Sequence, residues 1–404
     1  MRIRTRFGDA GPYNENLNLA FSKPQIHDFS FFGNNRVKRR CFRKVERFAC
    51  KTKVISGAGA IRSLGELGSR RLLLVSDPFF AKNGTAQAVL NASGAEKTEI
   101  FSDVRPDPSV ELVAEATAVM RAFLPDTVAA LGGGSAMDCA KAMLHFSGAA
   151  ARFVAIPTTS GSGSEVTDFS VLTHGTVKYP VIDEKMQPDV AILDGDLLKE
   201  LPRSLIADAG FDAISHALEA YAAKNGGMLS DCLAEGAFRT VLTALPASYG
   251  GDTAVRQKIH TAATMAGMAF SQAGLGLCHA LSHSLGGAFH IPHGRLNAIL
   301  LPAVIRLNAT AVQEKYAKLA RSAGIPGSAD TVAVRNLQNT LIRLRKQLNL
   351  PETLQQAGVD PGQVRFRSRE LVQAALDDPC CKTNPLPVED FMVRRILEEV
   401  MGRA

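Results

Sequence analysis

Four of the nine histidines fall between positions 279 and 293, in GLCHALSHSLGGAFHIPHGRLNAILL. His279 and His283 are four apart, so a helix sets them on one face, while His293 follows Pro292 at the head of the next apolar run. Upstream, FDAISHALEAY repeats the spacing with Asp212 and His216 among alanines, leucines and Ile214. Two such helices facing each other offer one carboxylate oxygen and three imidazole nitrogens. That donor set suits Fe(II) or Zn(II) and leaves an open position for water or substrate. For one histidine alone, His290 for instance, a satisfied core imidazole is the simpler account; for the group it is not. Gly210, Phe211, Ala213 and Ile214 make the surroundings of Asp212 too apolar for an exposed Asp-His pair.

Stepping toward the amino terminus, residues 53–194 alternate short apolar runs with helical stretches, as a parallel α/β domain does. LLLVSD (72–77) reads as a buried strand ending in Asp77, and TVAALGGGS (127–135) as another. AMDCAKAMLHF then has helical spacing, so Gly132, Gly133 and Gly134 form the turn between strand and helix. Three glycines permit positive φ and let backbone N–H groups approach a pyrophosphate at a helix N-terminus. Ser135 can cap that helix or donate to a phosphate. The next strand, FVAIPTT, runs into SGSGSE, a second loop of small residues able to lie against a ribose or phosphate. Asp77, at the end of an early strand, can accept from adenosine ribose hydroxyls and repel a 2′-phosphate, which favours NAD over NADP. A turn-opening Asp before Pro78 is the plainer alternative.

Past Pro202 the periodicity is helical to the carboxyl end. The expected organisation is a basic, poorly ordered extension over 1–47, an NAD-binding α/β domain with a Rossmann-like parallel sheet over 48–202, and an all-α metal-binding domain over 203–404. The active site then occupies the cleft between the last two. The first 53 residues hold 13 Lys or Arg against 4 Asp or Glu, so the remainder carries −2 of the overall +7 and the basic character belongs to the extension. No nucleic-acid-binding fold surrounds VKRRCFRK, which reads as solvated chain. Asp9, Glu15 and Asp28 argue against a transit peptide, and no apolar segment resembles a secretory signal. Apolar runs end well short of the roughly 20 residues a spanning helix needs. The seven cysteines lack a C-x-x-C spacing and read as reduced thiols of a cytoplasmic protein.

D-x-x-x-H, then H-x-x-x-H, then P-H-G, together with GGGSAMDCAK and PTTSGSGSEVT, resemble in order, spacing and flanking words the iron-dependent (group III) alcohol dehydrogenases. The likeness runs from about Phe48 to the C-terminus; KYP (178–180) and GMAFSQAGLGLCHALSH are most similar to the propanol dehydrogenases of bacterial propanediol utilisation. The resemblance implies a dehydroquinate synthase-like two-domain architecture, with Asp212, His216, His279 and His293 as ligands of Fe2+ or Zn2+. His283 then lies beside substrate and nicotinamide as the proton-relaying residue. Asp77, Gly132, Gly133, Gly134, Ser135, Asp138, Thr158, Thr159, Gly161, Gly163, Ser164 and Lys178 are the implied contacts of NAD(H). The activity implied is interconversion of a short primary alcohol and its aldehyde, propanal in the reducing direction, by a homo-oligomer; a bacterial microcompartment is one location such enzymes occupy. Lactaldehyde reduction, hydroxyacid-oxoacid transhydrogenation and a non-redox metalloenzyme on the same fold are the alternatives.

Overall fold

The computed structural model describes residues 46–175 and 177–402, without the side chains of residues 177 and 178. The basic extension therefore lies outside the described residues apart from Glu46 and Arg47; the Glu46 carboxylate accepts the N–H groups of Met228 and Leu229 at 3.1 and 3.0 Å.

The described strands are β1 Lys53–Ser56, β2 Arg71–Ser76, β3 Lys97–Phe101, β4 Thr127–Gly132, β5 Arg152–Pro157, β6 Phe169–His174, β7 Val177–Ile182 and β8 Val190–Leu193. Six of them form one parallel sheet in the order β1-β8-β5-β4-β2-β3, while β6 and β7 pair as a separate antiparallel hairpin. A strand buried on both faces must be apolar throughout. In β2, Leu73 and Val75 join one buried cluster with Val113, Met120 and Met137, whereas Leu72 and Leu74 join another with Leu64, Val89 and Leu90. Alternate side chains thus feed the two layers of helix that cover the sheet. These layers are built from α1 Pro78–Lys82, α2 Thr85–Ser93, α3 Val110–Phe123 and α4 Gly134–Ser147.

The chain runs from β2 outward to β3, then returns to place β4 on the other side of β2. The crevice outside the carboxyl ends of β2 and β4 is therefore the point where strand order reverses, the usual ligand position in open parallel sheets.

The helical half comprises α5 Arg203–Ala222, α6 Met228–Gly250, α7 Arg256–Ala273, α8 Leu277–Phe289, α9 His293–Ser322, α10 Asp330–Gln347, α11 Pro361–Phe366, α12 Ser368–Asp377, α13 Pro379–Thr383 and α14 Asp390–Met401. From Ile206 to Ala222 all but one residue of α5 is buried, so this helix is the axis around which α6, α7 and α9 pack. By length and composition α9 could cross a membrane, yet 61% of its most apolar window is buried inside the protein, as in a core helix.

Two local expectations are corrected. Ser135 does not cap α4: the N-cap is Gly133 and no side chain caps it, because the strand leaves at Gly132 and the helix has already begun at Gly134. His290 is not a core imidazole. It is exposed and ends α8 with φ 54°, turning the chain so that Pro292 and His293 can start α9.

Candidate metal and cofactor site

Asp212 and His216 lie one turn apart on α5, His279 and His283 one turn apart on α8, and His293 opens α9. α9 can approach α5 this closely only because Gly294 follows His293: a Cβ there would stand 1.8 Å from the Asp208 carbonyl oxygen. A two-pronged Arg295–Asp208 ion pair, at 3.2 and 2.9 Å, holds the two helices together one turn before Asp212.

One ligand-type atom each from Asp212, His216 and His279 lie within 4.8 Å of one another. His293 stands beside this trio, its ring centre 5.1 Å from that of His279 and its Nδ1 2.7 Å from Asp212 Oδ1. Its Nε2 is buried and has no hydrogen-bond partner among the described residues. His283 borders the group, 5.1 Å from His293 between ring centres.

Each nitrogen's role is set by what lies behind it. His216 Nδ1 is 3.1 Å from the Gly161 carbonyl, a bond in which the ring must donate, leaving Nε2 with the lone pair. His279 Nδ1 is 2.6 Å from Glu219 Oε2, and the same carboxylate accepts the N–H groups of Gly276, Cys278 and His279 at the start of α8. Burial lifts the Glu219 carboxyl to about 7 against the pull of those N–H groups. Asn297, one turn along α9, donates to Asp212 Oδ1 at 2.8 Å.

Burial lowers His216 to about 4 and holds His279 well below its ordinary value, so both rings are neutral near pH 7, the form that binds a metal. Burial also pushes Asp212 upward, but His216, His293 and two hydrogen bonds outweigh it and hold this carboxyl at about 2. An ionised carboxylate, neutral imidazoles and a sheltered, unpartnered Nε2 fit a divalent ion of the Fe(II) or Zn(II) kind.

Glu219, Asn297 and Asp378, which lies 2.8 Å from His283 Nδ1, were not reached by reading the sequence. Glu219 could have been: it is seven residues after Asp212, on the same helix face.

At the sheet, Asp77 and the glycine turn flank the β2/β4 crevice. Asp77 Oδ1 caps α1 by accepting from Phe79 and Phe80 at 2.9 and 3.3 Å, and a Cβ on Gly132 would lie 3.7 Å from its other oxygen. Gly132 has φ 155°, and its added Cβ would meet Ala136 Cβ at 2.6 Å, so the tight exit from β4 requires glycine. Gly133 and Gly134 sit against Thr159 and Ser162 of the second loop. Thr158 is buried and donates its N–H to the Gly132 carbonyl.

Gly161 and Gly163 turn the other way, packing on Ala209 of α5 and Gly267 of α7, while Ser164 is buried in the short helical turn that follows. Asp138 is on α4, one turn past Gly134, and its backbone carbonyl accepts from Ser170. Lys141 is buried and donates to Thr167 Oγ1 and the Phe169 carbonyl. Lys178 is in β7, and its side chain lies outside the described residues.

Residues 51–195 match the family described as iron-containing alcohol dehydrogenase, and residues 206–401 match the C-terminal part of the Fe-containing alcohol dehydrogenase family. The chain is 40% identical to 1-propanol dehydrogenase PduQ of Salmonella typhimurium over 88% of its length and 99% of that protein. With an NADPH-dependent butanol dehydrogenase of Clostridium saccharobutylicum it shares 36% identity over 87% of its length and 97% of that protein. The fold of sulfoacetaldehyde reductase from Bifidobacterium kashiwanohense, solved in complex with NAD+, superposes with a TM-score of 0.79 at 26% identity, covering 88% of this chain and 98% of that one.

Proposed function

Since this chain belongs to the iron-containing alcohol dehydrogenase family, we propose that it reduces a short unbranched aldehyde, propanal or a near relative, to the primary alcohol with NADH. The observation that carries this reading is the neutral imidazole set gathered on one ionised carboxylate, with a glycine-flanked turn at the reversal of strand order in the other half of the chain. Asp212, His216, His279 and His293 hold the metal, and the family description favours iron over zinc. When bound, the ion supplies Lewis acidity to the substrate oxygen and the nicotinamide supplies the hydride.

The protein's own groups do the rest. Glu219 and the Gly161 carbonyl hold His279 and His216 with their lone pairs forward. Phe270, stacked on His216 with ring centres 4.5 Å apart, and Phe169 beyond it wall that side of the cluster with apolar surface, which suits a small hydrocarbon chain. The His283 side chain is about a third exposed (32%), placed to pass the alcohol proton between substrate and solvent. The first turn of α4 carries no capping side chain, so its N–H groups can receive the pyrophosphate. One relative uses NADPH, so the preference for NADH rests on Asp77 rather than on the family.

An NADH-consumption assay on the anaerobically iron-loaded protein tests this. Propanal is expected to turn over with kcat/KM within about tenfold of the best short aldehyde, since an apolar pocket discriminates weakly between near homologues. A preference for lactaldehyde of several orders of magnitude sinks the propanal assignment, because only a site built for the second hydroxyl rejects its absence so strongly.

A further inference from the structure

We propose that Asp378 is a positioning residue for His283, fixing the imidazole proton on Nδ1 so that Nε2 presents a lone pair at the far edge of the ring. This rests on the reading of His283 as the group that passes the alcohol proton.

Asp378 ends the segment before α13 and is anchored through both oxygens. Oδ1 accepts the Cys380 N–H at 2.8 Å as the N-cap of α13, and Oδ2 lies 2.8 Å from His283 Nδ1. Because one oxygen is locked to the backbone, the carboxylate cannot swing away from the ring. The segment itself is tied to α8, the helix that carries His283. Asn384 Oδ1 accepts the Leu277 N–H at 3.1 Å, and Thr383 Oγ1 donates to the Leu275 carbonyl at 2.7 Å. The distance between Asp378 and His283 is therefore fixed by the fold.

Protonation follows from the same contacts. Burial pushes Asp378 upward, but His283 and the Cys380 N–H outweigh it and hold the carboxyl below its ordinary range. An ionised carboxylate has only acceptors, so the ring nitrogen facing it must be the donor. Cys380 lies beside the pair, and burial together with the Asp378 carboxylate raises its thiol well above the ordinary range. A helix cap alone needs one carboxylate oxygen, and a second oxygen aimed at the ring of a proton-passing histidine is the arrangement that orients and fixes a tautomer elsewhere in acid-base catalysis.

Asp378→Asn separates the two roles, because asparagine caps helices as well as aspartate. With Oδ1 kept on the Cys380 N–H, the new amide turns a donor toward Nδ1 and drives the proton to Nε2. kcat for alcohol oxidation, in which Nε2 accepts the alcohol proton, is expected to fall on the order of 10²-fold, within the range general acid-base groups contribute. KM for alcohol, metal content and Tm should stay near those of the unaltered protein. Asp378→Glu should recover part of the loss. Combined with His283→Ala, Asp378→Asn should add less than about a twofold further drop, since coupled residues are non-additive.

A spectroscopic readout stands apart from turnover. In 15N-histidine NMR of the zinc-loaded protein, the His283 signals, assigned by difference with His283→Gln, should report the Nδ1–H form and shift to Nε2–H in Asp378→Asn. Unmoved signals overturn the proposal, as does an equal kcat loss from Asp378→Asn with and without His283. If instead His283→Ala itself leaves kcat intact, the relay reading of His283 fails, and the NMR result still decides the tautomer.

Discussion

At His279 nearly every polar atom already has a protein partner, whereas at the start of α4 the backbone is left bare. Glu219 alone takes four hydrogen bonds from one histidine ring and three backbone N–H groups. At the sheet the first turn of α4 begins at the last of three glycines and has no capping side chain, as is true of most of the described helices, whereas α1, α3 and α13 are capped by Asp77, Ser109 and Asp378. The contrast matches what each half holds under the proposed function. A compact ion demands a few donors at fixed positions, and a lone pair is fixed only by what its ring bonds to behind. A diphosphate is long and diffuse in charge, and rows of N–H groups at a helix start receive it best when no side chain occupies them.

The largest test of that contrast removes the rigid half. His279→Ala should lose stoichiometric metal and at least about 10³-fold in turnover. Glu219→Gln, which keeps the size but not the charge behind His279, should weaken metal binding by about 10- to 100-fold. NADH binding should change little in either, measured by fluorescence titration beside elemental analysis. Undiminished metal in His279→Ala means the ligand set is wrong.

A smaller effect is expected in the open half. Asp77→Gly removes the charge that repels a 2′-phosphate while costing only about a few tenths of a kcal/mol at the α1 cap, where glycine is tolerated. The ratio of kcat/KM for NADPH to that for NADH should rise by about tenfold or more, one close charge contact being worth about 1.4 kcal/mol or more. An unchanged ratio removes Asp77 from cofactor choice.

The smallest concerns stability at the seam. His260, on α7, is buried and lowered from 6.5 to about 4, with Nδ1 3.0 Å from Ser160 Oγ of the second loop. Between those values the unfolded chain binds a proton that the folded one refuses. Stability is therefore full above pH 6.5 and declines as pH falls toward 4, by on the order of 3 kcal/mol from this group. His260→Gln should flatten that part of a Tm-versus-pH curve, and an unaltered slope excludes His260 as its source.

The helix faces shared by Asp212 with His216 and by His279 with His283 were legible because a four-residue spacing in an apolar helix leaves few arrangements, and the glycine turn because strand, glycines and helix follow one another directly. Asn297 and Asp378 were not legible as partners, and Glu219 was legible only as a residue on the helix face of Asp212, not as the partner of His279. In the sequence each is an ordinary polar residue, and its meaning depends on which ring another helix brings to it. The β6–β7 hairpin was also missed: Pro180 interrupts the strand pattern, which a two-stranded edge accommodates. His290 was misjudged because composition does not reveal that its backbone must turn left-handed to end α8.

Loop 158–164 has a further consequence for how the two ligands sense each other. Thr159 lies against Gly133 of the phosphate turn, while two residues later the Gly161 carbonyl receives the His216 ring. Under the proposed function, a shift of this loop on cofactor binding reaches the His216 ring within one short span of chain. Equilibrium then imposes reciprocity: whatever factor NADH applies to metal affinity, the metal must apply to NADH affinity. Under the proposed function, the factor by which NADH tightens or loosens the ion is then read equally well as the ratio of NADH affinities of the metal-loaded and metal-free protein.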